Sequence, residues 1–186
     1  TTADRTEAES MGFQNRQRLL PDNGSGQPAI YAERLDAPDK PTMLIYAHYD
    51  VQPPDPLDKW LTPPFDPVER DGRIYGRGIS DDKGPMMIAL ETLAAFIAVE
   101  KTLPVNVKLL IEGEEETGSP SLPGILENHR SLLSADAVLS ADGARWRSDL
   151  VSLNVGSRGN AGFEVKLITA SQDLHSGRYG GIVRNA

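Results

Sequence analysis

Cysteine is absent from the 186 residues, which excludes structural disulfides and thiolate metal ligands. The absence suits a reducing compartment, so a cytoplasmic location is expected, although a secreted chain can also lack the residue. No apolar run approaches the roughly 18 residues of a membrane span, so no membrane partner is expected. Positive charge is in the minority: 19 Lys and Arg stand against 27 Asp and Glu, a formal net charge of −8. That balance argues against nucleic acid or an anionic membrane as a partner. Histidine is scarce too, limited to His48, His129 and His175. A starting Met is also missing, and the chain stops at Gly181-Ile182-Val183-Arg184-Asn185-Ala186 with no end signal for the element forming there. Both ends therefore read as cut, with room for a lost targeting segment. What remains is ordinary for a globular protein, with 39% hydrophobic and 25% charged residues.

The first 20 residues are polar and are expected to form a helix leading into a short strand. Ile30 to Leu35 alternates as a strand, and Pro38-Asp39-Lys40-Pro41 turns the chain. Thr42 to Ala47 is a continuous apolar run, the pattern of a strand covered on both faces, and it ends at His48-Tyr49-Asp50. Residues 52–67 hold six prolines, which predicts an ordered loop without regular elements, anchored by Trp60 and Phe65. A short strand at Arg73-Ile74-Tyr75-Gly76 precedes a helix from about Pro85 to Glu100, apolar on most sides and so expected to be well buried. Val105 to Ile111 is a second buried strand feeding Glu112-Gly113-Glu114-Glu115-Glu116. A helix over Leu122 to Leu133 and a third strand at Ala137 to Ser140 follow, ending at Asp142-Gly143. This alternation predicts an α/β fold, a mostly parallel sheet with flanking helices and right-handed crossovers. Beyond it, Leu150 to Val155 and Phe163 to Thr169 read as strands joined by a glycine-rich segment, a candidate boundary between residues 1–157 and 158–186.

Ligands of such sheets collect beyond the carboxyl ends of the strands. His48, Glu115, Glu116 and Asp142 stand at those ends, and Asp81 stands beside them at a helix start. Each has a bland alternative. His48 could be a hydrogen-bonded core histidine, Asp81 a helix cap, Asp142 a turn residue, and the glutamate run a solvated loop. Together the bland readings would all have to hold at one end of one sheet. A buried strand feeding three consecutive carboxylates is costly without a cation, because like charges repel. Asp50 lies two residues past His48, so on a strand it can reach a ring nitrogen and fix the tautomer. One imidazole among carboxylates is the donor chemistry of a hydrolytic zinc site, with Mn²⁺ or Co²⁺ also compatible. Gly76-Arg77-Gly78 does not read as a dinucleotide loop, and His129 is read as a mid-helix surface residue without a role.

Six segments carry a resemblance: Tyr46-Ala47-His48-Tyr49-Asp50-Val51-Gln52-Pro53, the loop from Trp60 to Pro64-Phe65, and Tyr75-Gly76-Arg77-Gly78-Ile79-Ser80-Asp81-Asp82-Lys83-Gly84-Pro85. The others are Glu112 to Ser119, Ser140-Ala141-Asp142, and Asp173-Leu174-His175-Ser176-Gly177-Arg178-Tyr179-Gly180-Gly181. With them the chain resembles the dinuclear-zinc peptidases and deacylases: carnosine dipeptidases, acetylornithine deacetylase, succinyl-diaminopimelate desuccinylase, aminoacylase and glutamate carboxypeptidases. The wording around Val51-Gln52-Pro53 and His175 to Gly181 is nearest the carnosine dipeptidase branch.

The resemblance implies a zinc-exopeptidase-like catalytic domain followed by the start of an α+β lid or dimerisation domain. It implies that His48 and Asp142 bind one zinc, Glu116 the other, and that Asp81 bridges both. Glu115 would be the general base and Asp50 would orient His48. The Asp81–Asp82 peptide would be cis, and His175 would reach the active site of a partner in a homodimer to stabilise the oxyanion. The family's second zinc needs a late histidine, and none follows His175. The chain is therefore expected to be the N-terminal portion of a longer enzyme and inactive alone. The implied activity is metal-dependent hydrolysis of a peptide bond in a small peptide, or of the amide of an N-acyl or N-carbamoyl amino acid. The reading from a different class is a metal-binding fragment that catalyses nothing.

Overall fold

The computed structural model describes residues 10–21, 24–143, 147, 149–172 and 174–182. The expected helix ahead of the first strand falls largely outside them. The chain divides into two compact units, Thr1–Arg145 and Trp146–Ala186.

The first unit is built on a five-stranded sheet. Its strands are β1 (Gln14–Leu19), β2 (Ala29–Arg34), β3 (Thr42–His48), β6 (Asn106–Glu112) and β7 (Ala137–Ser140), in the spatial order β1-β2-β6-β3-β7. β3 pairs in parallel with both β6 and β7, whereas β2 runs antiparallel to β1 and to β6. Four strands thus share a direction and β2 is reversed, a mixed and mostly parallel sheet. Helix α1 (Gly84–Glu100) links β3 to β6, and the short helices α2 (Leu122–Asn128) and α3 (Arg130–Leu133) precede β7.

The apolar runs of β3 and β6 are explained by cover on both faces. Ile45, Ala47, Val107 and Leu109 pack with Met86 and Leu90 of α1, while Leu44 and Leu110 pack with Ile125 and Leu133 beneath α2 and α3. Alternate residues of one strand therefore serve two cores, each buried large side chain contributing about 1.5–3 kcal/mol. The shared direction of β6, β3 and β7 brings three carboxyl ends side by side.

Several expectations need correction. α1 buries only Met86 and Leu90, and Ile88, Phe96 and Val99 on its outer side are exposed. The sheet covers one side of the helix, and nothing among the described residues covers the other. The proline-rich loop does hold one regular turn, Leu57–Lys59. Trp60 anchors it by donating Nε1–H to Pro54 O at 2.6 Å, but Phe65 is 64% exposed and anchors nothing. The helix over 122–133 is two helices that meet at half-buried His129, whose φ of −116° and ψ of 23° leave helical values. A hairpin, β4 (Val68–Arg70) with β5 (Arg73–Tyr75), replaces the lone strand expected near residue 74.

In the second unit, residues 151–169 form neither helix nor strand and are exposed, so the two strands expected there do not form. Two strands without a third element to cover their apolar side chains are marginal in water. The one described element of this unit is the short helix α4 (Ser176–Tyr179).

Candidate metal centre

His48 closes β3 and is fully buried, paired in register with Glu112 of β6. The ladder continues one step further through Tyr49 N–H to Glu112 O at 2.9 Å. Gly113 makes that close packing possible, since a Cβ there would run into the Tyr49 ring. Asp81 comes from the wide turn Ile79–Lys83 ahead of α1, where its φ of −142° and ψ of 99° depart from helical values and the Asp81–Asp82 peptide is cis. Glu115 opens the turn Glu115–Thr117 just past β6, and Asp142 lies just past β7.

These four side chains converge. Asp81 Oδ1 lies 2.9 Å from His48 Nε2, and Glu115 Oε2 and Asp142 Oδ2 each lie 3.9 Å from it. One ligand atom each from His48, Asp81 and Asp142 fall within 4.8 Å of one another. A tetrahedral ion with bonds of about 2.0–2.2 Å spaces its ligand atoms about 3.3–3.6 Å apart. Separations of 2.9 and 3.9 Å straddle that spacing, so one imidazole and two carboxylates fit a zinc-like divalent ion after small side-chain rotations. Side-chain exposure rises from 0% at His48 to 59% at Asp81, so the group opens to solvent on one side.

Asp50 holds the frame. Its Oδ1 lies 3.2 Å from His48 Nδ1 and accepts Glu115 N–H at 3.2 Å, while Oδ2 accepts Glu116 N–H at 3.0 Å. An ionised carboxylate only accepts, so Nδ1 carries the hydrogen and Nε2 faces Asp81. Burial pulls the His48 pKa down, but the Asp81 hydrogen bond and the charges of Asp82, Glu115 and Asp50 outweigh it and hold the ring above the ordinary histidine value. Burial, followed by the charges of Asp142, Glu116 and Asp81, pushes Glu115 up despite the opposing His48. A carboxylate so poised is a better proton acceptor than an ordinary glutamate.

The run of glutamates divides its tasks. Glu114 accepts Gln27 N–H at 3.0 Å and Ser121 N–H at 3.1 Å, tying the 24–28 loop to the start of α2. Glu115 faces His48, whereas Glu116 faces Gln52 and is outside the three-residue group. Two contributors carried no assignment in the sequence. Asp82 is fully buried, and its Oδ2 accepts the His48 N–H at 3.1 Å. Gln52 makes three hydrogen bonds to Glu116. The signal for Asp82 was the doubled aspartate, while Gln52 had none beyond its spacing of four from His48. His175 belongs to the second unit, is exposed, and accepts Gly177 N–H at Nδ1 at 3.1 Å.

Comparison with known proteins supplies the context for this geometry. The family model "Peptidase family M20/M25/M40" matches residues 44–176. The human Beta-Ala-His dipeptidase is 41% identical over 158 residues, covering 84% of this chain and 31% of its own length. A Cys-Gly metallodipeptidase of Schizosaccharomyces pombe is 36% identical, with 84% and 33% covered. The crystal structure of an M20 family metallo-carboxypeptidase from Sulfolobus solfataricus superposes with a TM-score of 0.69 at 39% identity, covering 77% of this chain and 31% of that one. The chain spans about a third of the length of these relatives.

Proposed function

Since the chain belongs to peptidase family M20/M25/M40, we propose that the protein is a zinc-dependent hydrolase cleaving the peptide bond of a small, dipeptide-like substrate. The observation that carries the reading is the convergence of His48 Nε2, Asp81 and Asp142 within one ion's reach, with Glu115 Oε2 3.9 Å from the same nitrogen. The dipeptidases among the relatives support the substrate class.

His48, Asp81 and Asp142 would hold one ion, and Glu116 would contribute to holding a second. Bound divalent ions would supply a water of lowered pKa and polarise the scissile carbonyl. Glu115 would act as the general base, holding a proton at its carboxylate and delivering it to the leaving amine, a role that suits its raised pKa. Asp50 would keep the Nδ1 proton in place, so that the Nε2 lone pair stays aimed at the ion. His175 accepts at Nδ1, which leaves Nε2–H as a donor for the oxyanion when a second copy in a homodimer brings it to the site. The cysteine-free composition supports a cytoplasmic enzyme, and no described helix is long and apolar enough to cross a membrane.

The test uses the full-length protein and a series of unmodified dipeptides. Chelation should abolish turnover and added zinc restore it. Glu115→Gln should bind zinc as the parent does but lose about 10²–10⁴-fold in kcat, the usual contribution of a general base. Turnover that survives both treatments would overturn the proposal.

A further inference from the structure

Gln52 is an uncharged, exposed residue that nonetheless holds both oxygens of one carboxylate. Its backbone N–H donates to Glu116 Oε1 at 3.2 Å and its side-chain Nε2 donates to Glu116 Oε2 at 2.9 Å. The same Nε2 also donates to Glu116 O at 3.0 Å. Asp50, two residues earlier, takes the Glu116 N–H. The stretch from His48 to Gln52 therefore uses every second residue on the site: His48 enters the three-residue group, Asp50 fixes the turn's amides, and Gln52 fixes its carboxylate.

A loop staple would need only the bond to the Glu116 carbonyl. The two bonds to the carboxylate do something else, because they set the plane of the group. A carboxylate offers about four lone-pair sites, and Gln52 occupies one on each oxygen. One site per oxygen is left, and its direction is fixed. The donor is also neutral. Lys or Arg at this position would cancel the charge of Glu116 and compete with a cation, whereas an amide orients the carboxylate and leaves its full charge in place.

We propose that Gln52 is a positioning residue that aims Glu116 at a divalent cation, an inference that rests on the reading of Glu116 as ligand to the second ion. Partners that orient a ligating group typically contribute about 10–100-fold to metal affinity. Gln52→Met keeps the side chain's length and removes its donor.

The experiment titrates Co²⁺ into the full-length protein, following visible absorption and binding heat, for the parent, Gln52→Met and Glu116→Gln. The expected result is two ions in the parent. In Gln52→Met the weaker ion should bind about tenfold or more less tightly, with an altered absorption band, and the tighter ion should be unchanged. Glu116→Gln should lose the weaker ion. If Gln52→Met binds both ions as the parent does while Glu116→Gln loses one, Glu116 is a ligand and Gln52 does not position it. Equal weakening of both ions together with a lower melting temperature would make Gln52 a general structural staple and also overturn the proposal. If Glu116→Gln keeps both ions at parental affinity, the ligand reading itself fails, and that signature is distinct from the other two.

Discussion

Replacing Asp50 with Asn puts the greatest strain on the proposed frame. The carboxylate serves three donors: His48 Nδ1 at 3.2 Å and Glu115 N–H at 3.2 Å on Oδ1, and Glu116 N–H at 3.0 Å on Oδ2. Asparagine offers one carbonyl oxygen and one NH₂ in the same space. With its oxygen in the Oδ1 position, the NH₂ faces the Glu116 N–H. With the oxygen at Oδ2, the NH₂ faces both other donors. Either way at least one N–H loses its acceptor, which costs about 1–3 kcal/mol when the group is buried. Asp50 keeps 19% of its side-chain exposure, so water recovers part of the loss, and about 1–2 kcal/mol is expected. The second placement also turns the imidazole, since an NH₂ beside Nδ1 moves the ring proton to Nε2. Metal affinity should then fall about 10–100-fold. Urea unfolding of the metal-free protein and zinc calorimetry read the two quantities separately. An Asp50→Asn variant with the parental urea midpoint and parental zinc affinity would refute the claim that Asp50 sets both the tautomer and the turn.

Zinc affinity should depend on pH through His48. Its pKa is raised in the fold, so the proton that a cation must displace from Nε2 persists above the ordinary value of about 6.5. Apparent affinity should fall by up to about tenfold per pH unit below the raised value, with close to one proton released per ion bound. Calorimetry in buffers of different ionisation heat checks this, and binding that does not vary between about pH 8 and pH 5.5 would contradict it. In the metal-free protein the same shift has the opposite consequence. The stability contributed by His48 is complete below its unfolded pKa and is lost as pH rises through the raised folded one, and the raised Glu115 acts in the same direction. Gly113→Ala places a methyl group against the Tyr49 ring and dislodges its hydroxyl from Pro28 O, now 2.8 Å away. It should cost about 1–3 kcal/mol, and an unchanged thermal midpoint would show that the ring yields freely.

How much of this was readable depended on whether a residue's partner lay close by in sequence. The β3 and β6 runs were legible because burial on both faces favours apolar side chains along the strand, with Lys108 of β6 the buried exception. The β4–β5 hairpin was missed although its turn, Asp71-Gly72, has positive φ at both residues, 53° and 69°, which is the two-residue hairpin signal. At 150–155 and 163–169 the strand-forming residues are present, but a strand also needs a partner, and composition cannot supply one. Trp60 and Phe65 looked equivalent as anchors. Only the indole carries an N–H, and its bond to Pro54 O decides between them. At the site, His48, Glu115 and Asp142 stood out because polar groups follow the end of a strand there, and Asp81 because it opens a helix beside them. Gln52 breaks no such pattern. The buried role of Asp82 was not readable, because which of two adjacent aspartates turns inward depends on a turn geometry the sequence does not state.

The electrostatics of the site follow from what its acids are not paired with. Among the described residues, the ion pairs made by Asp50, Asp81, Glu115 and Asp142 all lead to one partner, His48. Lys83, the cation next in sequence to Asp82, donates to Tyr49 O instead. Glu116 is held by an amide, Asp82 by a backbone N–H, and Asp50 by two backbone N–H groups together with the imidazole. Dipoles can fix the orientation of a carboxylate, but they leave its charge uncancelled. Burial raises Glu115 first and the negative field of its neighbours adds to it, whereas at His48 the same field outweighs a burial that pulls the other way; both bind their protons more tightly as a result. A field that raises the proton affinity of an imidazole and a glutamate together raises the affinity for any small cation that can take the proton's place. Pairing the acids with Lys or Arg would have given an equally well-connected loop cluster with no such pull. The choice of neutral donors is thus what separates a cation site from a set of surface salt bridges at this end of the sheet.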